Sequence, residues 1–454
     1  MNSLPQIIGR FIDAHRLLDA GRLHLVALSG GADSVALLLV LRQLGFRVEA
    51  AHCNFHLRGS ESDRDEHFCL RLCESQGVAL HRAHFDTHAY AAGRHLSIEM
   101  AARQLRYAWF DQLRQAVGAA DIVVAHHRDD SVETFLLNLV RGTGIHGLTG
   151  IKPRQGFVVR PMLCVGRNDV LSFLEQRGQA YVTDSSNLDA DAALRNRVRL
   201  DLLPLMETVN MRARDHIAGA MQRLAEVEKV YAQAVDEARG RAVSVNADAD
   251  TVVSLDALRA TAAPETFLYE WISAYGFNAK QVKEMMSSVG KVGRQWISTD
   301  YVAVMDRRQL LVALRQSLEV ATLNMPEPGT YVFPVLPQKS MRIKVSVRAG
   351  GPELISRNAK VATVDAGKVT FPLTLRPVRE GDRFRPFGMA HDRLVSDYLT
   401  DLHRSAFRKR RQLMLVDAVG RTVWLVGERT DDRCRVDSHT ADVLTIKIEE
   451  TEGQ

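Results

Sequence analysis

The sequence contains few cysteines and no long apolar run. Its five cysteines are scattered and odd in number: Cys53, Cys69, Cys73, Cys164 and Cys434. Such a set does not suggest a disulfide framework, and it predicts free thiols in a reducing compartment. No run is long and apolar enough to cross a membrane. Residues 1–18 mix acid and histidine with apolar residues, unlike a signal peptide. We therefore expect a cytoplasmic protein with no membrane partner.

The chain also lacks a strong excess of either charge. It carries 59 Lys and Arg against 54 Asp and Glu, a net charge of +5 in 454 residues. This balance identifies no partner, and the length predicts about two or three domains. One segment, RSAFRKRR at 404–411, holds five cations and no acid. Such a run is either a solvated surface or a patch that binds phosphate groups, and its sequence alone leaves both interpretations open.

The strongest functional signal lies at 23–38, LHLVALSGGADSVALL. It predicts a buried strand, a tight glycine loop and a helix whose free N–H groups attract an anion. The loop has neither the Gly-Lys-Ser/Thr ending of a Walker A motif nor a G-x-G-x-x-G pattern. An ordinary turn capped by Ser and Asp is the alternative. We favour a phosphate site with both serine hydroxyls on phosphate and Asp33 on Mg²⁺, formed by Ser29, Gly30, Gly31, Ala32, Asp33 and Ser34.

Strand-like and helix-like segments alternate through the first part of the chain. The strands are predicted at 23–28, 47–54, 78–85, 121–125 and 158–161, and the helices at 6–19, 62–76, 97–117, 130–140 and 168–176. Residues 88–95 are predicted to be a loop. The alternation predicts a parallel sheet covered on both faces, with ligands beyond the carboxyl ends of its strands. The loop at 29–34, His52 and the pair His126-His127 all fall at such ends.

The rest of the chain is predicted to be helical and then rich in strands. A long helical stretch at 202–239 leads to helices at 255–261, 265–274 and 279–288 and a hairpin at 301–313. After a Pro/Gly-rich break, strands are predicted at 341–347, 370–375, 412–417 and 422–426. The expected fold class is α/β. An N-terminal parallel-sheet domain (1–215) precedes a mostly helical middle domain (216–320) and a small mixed α+β C-terminal domain (321–454).

A second group of polar residues follows the fourth strand. His126 and His127 end it, and Asp130 and Glu133 lie on one face of the next helix. The two histidines lack the spacing of a zinc site, and no cysteine set completes one. A polar first helix turn explains the acids through the helix dipole, but it does not explain both histidines. We therefore favour a functional cluster.

Three arginines are further candidates. On the helix at 97–117, Glu99 and Arg103 are spaced as a surface ion pair of small energetic value, whereas Arg106 suits a bidentate phosphate clamp. Arg195 and Arg199 follow the polar segment DSSN at 184–187. Because a basic first helix turn opposes the helix dipole, a bound anion would explain these two arginines better.

Read together, these motifs resemble the tRNA(Ile)-lysidine synthetase family, whose ATP site is a PP-loop of the N-type ATP pyrophosphatases. Over about residues 23–204 the resemblance rests on SGGADSVALL, HLRGSESDRDEHF, EMAARQLRYAWF, AHHRDDSVETFLLNLVRGTGIHGLTGI, RPML and DSSNLDADAALRNRVR. Residues 381–436 are similar to the family's C-terminal domain. The middle region matches only in size and helical character. Phe55-His56 departs from the family, where histidine directly follows asparagine, and Arg393 stands where lysine is common.

The resemblance implies a reaction with ATP, Mg²⁺, free L-lysine and tRNA(Ile) bearing a CAU anticodon. ATP adenylates O2 of the wobble cytidine and releases pyrophosphate. The lysine ε-amine then attacks C2 and expels AMP, which gives lysidine. The implied activity is that of an ATP-dependent carbon–nitrogen ligase.

The resemblance also implies residue roles. The catalytic set is Asp33, Arg106, His127, Asp130 and Glu133, and lysine would contact Asp130, Glu133 and Arg199. One of the carboxylates or His127 would act as general base, and the choice stays open. The tRNA contacts would be Arg58, Arg141, Arg195, Arg404, Arg408, Lys409, Arg410 and Arg411.

Two other functions are weighed against this one. A PP-loop tRNA thiolase needs reactive cysteines, often C-x-x-C with an iron–sulfur cluster, and Cys69 and Cys73 lack that spacing. A non-catalytic, ATP-regulated tRNA-binding protein would not need Asp33, Asp130 and Glu133 intact. A homodimer stays open, because nothing in the sequence fixes the oligomeric state.

Overall fold

The computed structural model describes residues 3–183, 194–336 and 339–452. The chain forms two compact units, Met1–Tyr231 and Ala232–Gln454. The division into three domains at 215 and 320 stays a prediction. Among the described residues, no helix has both the length and the apolar character needed to cross a membrane.

The first unit contains a six-stranded sheet in the order β3-β2-β1-β4-β6-β5. Its strands are β1 (Leu23–Ala27), β2 (Arg47–Asn54), β3 (Leu80–His84), β4 (Asp121–Val123), β5 (Arg154–Gln155) and β6 (Val158–Val159). All neighbouring pairs are parallel except β5 with β6, an antiparallel edge. The predicted parallel sheet is confirmed. Because the chain runs outward from β1 through β2 to β3 and then returns to β4, the strand order reverses between β1 and β4, where ligands bind in such sheets.

The first unit also contains the following helices, the last of which runs on into the second unit. They are α1 (Leu4–His15), α2 (Ala32–Gln43), α3 (Ser60–Gln76), α4 (Thr87–Arg94), α5 (Ile98–Ala116), α6 (Arg128–Val140), α7 (Arg167–Gln176), α8 (Leu194–Arg197), α9 (Leu203–Val209) and α10 (Ala213–Ala242). A π-helical turn, Val198–Leu202, joins α8 to α9. The eight residues from Ser34 to Leu41 on α2 are all buried, so this helix is apolar on every side and lies inside the unit.

Two predictions for this unit are wrong. Residues 88–95 belong largely to α4, because Asp86 caps the helix by accepting the Ala89 N–H and the alanines that follow favour helix. The single helix expected at 202–239 is broken. α9 ends at Val209, Asn210 is extended, and α10 begins at Ala213.

The second unit begins with a five-stranded antiparallel sheet in the order β7-β8-β11-β10-β9. The strands are β7 (Val243–Val245), β8 (Thr251–Ser254), β9 (Gln295–Ile297), β10 (Tyr301–Asp306) and β11 (Gln309–Leu314), and the helices are α11 (Leu255–Arg259), α12 (Pro264–Ile272) and α13 (Ala279–Ser287). The three predicted helices and the β10–β11 hairpin are confirmed. The sequence analysis missed β7, β8 and β9, which are too short to show an alternating pattern.

Two four-stranded sheets complete the second unit, β12-β16-β19-β20 and β13-β14-β21-β15. Their strands are β12 (Leu323–Met325), β13 (Gly329–Leu336), β14 (Lys339–Ala349), β15 (Val361–Asp365), β16 (Leu373–Pro377), β19 (Leu413–Val416), β20 (Thr422–Leu425) and β21 (Asp442–Glu452). A short ribbon of β17 (Arg383–Phe384) and β18 (Arg393–Leu394) and two helices, α14 (Val395–Asp401) and α15 (Ala406–Arg411), lie beside them in the sequence. Side chains from both sheets, including Phe333, Ile343, Leu375 and Trp424, share one core.

Candidate active site

The loop after β1 brings the two predicted serines together. Ser29 Oγ lies 3.1 Å from Ser34 Oγ, and the Ser34 hydroxyl donates to the Gly31 carbonyl at 2.9 Å. Gly30 has φ +90°, a conformation that L side chains rarely adopt, and a Cβ there would lie 3.3 Å from Cys69 Sγ. On the outer side of the loop, the Gly30 carbonyl accepts the Val182 N–H at 2.9 Å. The loop is therefore held in a fixed shape with its hydroxyls side by side.

Asp33 lies at the start of α2, between Arg167 and His127. Its Oδ2 accepts a hydrogen bond from Arg167 Nη1 at 3.0 Å, and its Oδ1 lies 3.7 Å from His127 Nε2. Burial raises the pKa of this carboxyl group, and the charges of His127 and Arg167 oppose that shift. Oδ1 is buried without a hydrogen-bond partner. A buried, unpartnered carboxylate oxygen is a suitable ligand for Mg²⁺.

His127 caps helix α6 and faces Asp33. The Asp130 N–H points to His127 Nδ1 at 3.4 Å, and the His127 N–H donates to Asp130 Oδ2 at 2.9 Å. Because Nδ1 accepts in this arrangement, the ring proton is assigned to Nε2, on the side of Asp33. Burial lowers the pKa of His126 to about 4. This neighbouring imidazole is therefore neutral near pH 7.

Asp130 and Glu133 each meet two arginines from beyond α7. Arg195 donates through Nε to Glu133 Oε2 at 2.7 Å and through Nη2 to Asp130 Oδ1 at 2.9 Å. Arg199 donates through Nε to Glu133 Oε1 at 2.7 Å and through Nη2 to Glu133 Oε2 at 3.0 Å. Glu133 is only 1% exposed. Burial raises the pKa of Asp130, but nearby His127 and Arg195 hold it below its usual value. Residues 184–187 lie outside the described residues.

The loop residues Ser29, Gly31, Asp33 and Ser34, together with His126, Asp130 and Arg199, line a cavity of about 370 Å³ at the carboxyl ends of β1, β2 and β4. Arg103 and Arg106 of α5 also line it, with the Arg103 guanidinium 5.1 Å from the Tyr107 ring and the Arg106 guanidinium 5.2 Å from the Phe55 ring. Arg103 is exposed, lines the cavity and stacks on an aromatic ring.

A second cavity, of about 480 Å³, lies on the other side of the first turn of α6. Arg167 and Arg199 line both cavities. Asp129, the buried residue at the start of α6, accepts the Arg167 N–H through Oδ2 at 2.8 Å and so ties α6 to the start of α7. Within the described ranges, no three His, Cys, Asp or Glu side chains form a metal cluster.

Arg167, Arg103 and Phe55 were not predicted as residues of this site. The sequence positions of Arg103 and Phe55 could have marked both as site residues, since Phe55 follows the end of β2 and Arg103 is one helical turn before Arg106. Arg167 opens the helix after the last parallel strand, and applying the strand-end rule to that strand would have found it.

The basic run at 404–411 is largely paired with other side chains of the second unit. Arg404 meets Glu428, Arg408 meets Asp248 at 3.2 Å, Lys409 meets Thr400 and Arg410 meets Gln295. Arg411 forms two hydrogen bonds with Asp250, at 2.8 and 2.7 Å. Asp250 is 1% exposed. Arg411 is therefore committed to an ion pair with a buried carboxylate, and its expected phosphate contact stays a prediction.

The two remaining arginines predicted to contact tRNA are in the first unit. Arg58 Nη2 donates to the buried Asp65 at 3.2 Å, near the start of α3. Arg141 caps the end of α6 and is exposed.

Comparisons with known proteins find relatives along nearly the whole chain. Residues 7–206 match a family model described as a PP-loop domain, and residues 246–315 match one described as a TilS substrate binding domain. The tRNA(Ile)-lysidine synthase of Parabacteroides distasonis is 46% identical over 442 residues, covering 96% of this chain and 98% of that protein. The enzyme of the same name from Bacteroides thetaiotaomicron is 42% identical, covering 98% and 100%. The one from Bacillus subtilis is 26% identical, covering 92% of each.

Proposed function

The chain belongs to the tRNA(Ile)-lysidine synthase family, and we propose that it ligates free L-lysine to C2 of the wobble cytidine of tRNA(Ile) with a CAU anticodon. ATP adenylates the cytidine O2 and releases pyrophosphate, and the lysine ε-amine then displaces AMP. One observation carries the proposal: the SGGADS loop after β1 faces the first turn of α6 across the reversal point of the sheet. The SGGADS loop and the carboxylates of Asp33 and Asp130 thus border one cavity.

The phosphates of ATP would lie on the loop at 29–34. The hydroxyls of Ser29 and Ser34 are adjacent and would turn from their present mutual contact to phosphate oxygens. Mg²⁺, bound through Asp33 Oδ1, would neutralise charge on the phosphates. The orphaned state of that buried oxygen supports this role.

Arg103 and Arg106 would serve the nucleotide side of the same cavity. Both guanidinium groups lie over aromatic rings at the cavity wall, Tyr107 and Phe55. A guanidinium held in this way has its N–H groups available to an anion, so Arg106 suits the phosphate that is transferred to the cytidine.

Asp130 and Glu133 would hold the ammonium group of lysine. Both carboxylates already bind cationic groups, Arg195 and Arg199, so lysine must replace or share one of these contacts. The attacking amine must lose a proton, and Asp130, Glu133 and His127 are the three groups proposed to accept it. The lowered pKa of Asp130 makes this carboxylate a weaker base than an ordinary aspartate.

The tRNA would contact cations of both units. Arg58 and Arg141 are proposed for the anticodon side, and Arg404, Arg408, Lys409 and Arg410 for the second unit. We leave Arg411 out because Asp250 holds it, and Arg195 acts in this proposal at the lysine site. A cytoplasmic location follows from the substrates, since ATP, lysine and tRNA meet there. Homodimerisation stays a prediction.

The cysteines disfavour the thiolase alternative. Burial raises the pKa of Cys53 to about 12 and that of Cys73 to about 11, and it raises the pKa of Cys69 further still. All three are therefore thiols, not reactive thiolates, near neutral pH. Such groups are unsuited to sulfur transfer.

The test is incorporation of labelled lysine into tRNA(Ile) transcripts with a CAU anticodon, with and without ATP. We expect ATP-dependent label at the wobble cytidine and none in a methionine tRNA with the same anticodon. Asp33→Asn should abolish both lysine incorporation and pyrophosphate release. Pyrophosphate release by folded protein without lysine uptake would contradict the proposed nucleophile, and silence in both assays would favour the non-catalytic binding protein.

A further inference from the structure

The phosphate loop has no cation of its own. Residues 29–34 supply two hydroxyls, backbone N–H groups and the carboxylate of Asp33. Pyrophosphate leaves with several negative charges, and enzymes that release it stabilise that charge with fixed positive groups. Besides the proposed Mg²⁺, any cationic side chain beside this loop must therefore come from elsewhere in the chain.

Arg167 is held next to the loop. Its Nη1 donates to Asp33 Oδ2 at 3.0 Å, and its side chain is 46% exposed. The backbone beneath it is fixed, because the Arg167 N–H donates to the buried Asp129 and the Gly166 N–H donates to Asp169, each at 2.8 Å. The guanidinium is thus half open to solvent while its attachment point is rigid.

The other arginines of the cavity are placed differently. Arg199 is bound by Glu133 in a two-bond contact, and Arg103 and Arg106 lie over Tyr107 and Phe55 on α5 and the β2 end. Among the described residues that line the cavity, Arg167 is the arginine whose nearest acid is Asp33 of the loop. Its position therefore matches the phosphate end, and not the nucleoside end, of a nucleotide on the loop.

We propose that Arg167 is a phosphate-binding residue that contacts the β- and γ-phosphates of ATP and stabilises the departing pyrophosphate. The inference rests on the ATP chemistry of the proposed function. In that step the cytidine O2 forms a bond to the α-phosphorus, and the bond to the bridging oxygen breaks with its electron pair going to pyrophosphate. The guanidinium, presented as a fork, meets this new charge with two N–H groups. Asp33 satisfies Arg167 until ATP arrives.

Binding of α,β-methylene ATP, inorganic pyrophosphate and AMP by calorimetry, at constant Mg²⁺, tests the proposal. AMP lacks the two phosphates assigned to Arg167, so it reports on the rest of the site. We expect Arg167→Ala to weaken the affinity for the methylene ATP analogue and for pyrophosphate about tenfold or more, and the affinity for AMP less than twofold. Arg167→Lys should restore part of the loss, because it returns the charge without the fork.

Arg177→Ala is the matched control. Arg177 lies at the other end of α7, exposed and stacked on Phe173, and its loss should leave all three affinities unchanged. If Arg167→Ala weakens the affinities for AMP and for the ATP analogue equally, Arg167 only positions the loop and the proposal is wrong. Unchanged affinities for all three ligands would also overturn it. If Arg167→Ala fails to fold, Arg167→Lys and Arg167→Gln provide the same contrast between ligands.

The assay separates this inference from the proposed function, because it needs neither lysine nor tRNA. A wild-type protein that binds the ATP analogue through Arg167 but incorporates no lysine would contradict the ligase activity alone. A protein that makes lysidine and whose Arg167→Ala variant binds all three ligands as the wild type does would contradict the role of Arg167 alone.

Discussion

The buried carboxylate of Glu133 accepts two hydrogen bonds from the guanidinium of Arg199, at 2.7 and 3.0 Å. This two-bond contact fixes the plane of the carboxylate and raises the pKa of Arg199. Arg195 binds the same carboxylate from its other side. Any cationic ligand that reaches Glu133 must therefore compete with a guanidinium that is already well placed.

Removal of the Glu133 charge should separate the two steps of the reaction. In Glu133→Gln we expect lysine incorporation to fall about 10- to 100-fold, while tRNA-dependent pyrophosphate release stays within about threefold. The reason is that the lysine ammonium loses a charged partner and the phosphate loop does not. Glu175→Gln, at an exposed position on α7, is the control. A parallel fall in pyrophosphate release would contradict a role confined to lysine.

Asp33→Asn should act on the earlier step. We expect pyrophosphate release to fall about a hundredfold or more, because the carboxylate proposed for Mg²⁺ is lost. Binding of tRNA, measured by filter retention, should change less than twofold. Retained pyrophosphate release would contradict the proposed role of Asp33 in binding Mg²⁺. A large loss of tRNA affinity would indicate that the loop is misfolded.

Acid should destabilise the first unit through His126. Burial lowers its folded-state pKa to about 4 from an ordinary 6.5, so between these values the unfolded chain binds a proton that the folded one does not. Stability from this group is full above pH 6.5 and is lost as pH falls towards 4. We expect a loss of at most about 2 kcal/mol in the free energy of unfolding between pH 7 and pH 5.

Urea denaturation at both pH values measures this loss. His126→Gln should flatten the dependence, whereas His88→Gln, at an exposed position on α4, should leave it as in the wild type. An equal pH dependence in wild type and His126→Gln would show that other groups carry it.

Neighbouring cations of the basic run should behave differently. Arg411→Ala leaves the buried Asp250 without its partner, so we expect a loss of about 3 kcal/mol in the stability of the second unit. Arg410→Ala should change stability by less than about 0.5 kcal/mol. This substitution should instead weaken tRNA binding. It should also reduce the slope of the logarithm of the tRNA binding constant against the logarithm of the salt concentration by about one.

Thermal unfolding and salt-dependent tRNA binding of both variants check this contrast. A stable Arg411→Ala protein would contradict the importance of the ion pair. An unchanged salt slope in Arg410→Ala would mean that Arg410 is an ordinary solvated residue that does not contact tRNA phosphates.

The sequence predicted the parts of the site that are local in the chain. The SGGADS loop and the turn from His126 to Glu133 each combine several residues within one strand–helix junction, so their patterns could be read directly. The contact of Arg167 with Asp33 spans 134 positions, and no local pattern reports such a pairing. Likewise, the run at 404–411 shows its charge but not that Asp250 binds Arg411. The strands β7, β8 and β9 have only three or four residues each, too few for periodicity to be visible.

The start of α6 holds three arginines, and two of them, Arg167 and Arg199, line both cavities. Asp129 fixes the backbone of Arg167, and Asp130 and Glu133, one turn along, bind Arg195 and Arg199. A rotation or shift of this turn would move all of these contacts together. Under the proposed roles, rebuilding residues 130–133 to bind a different amine would therefore also disturb the Arg167 contact proposed for the nucleotide, and the two specificities are expected to evolve jointly.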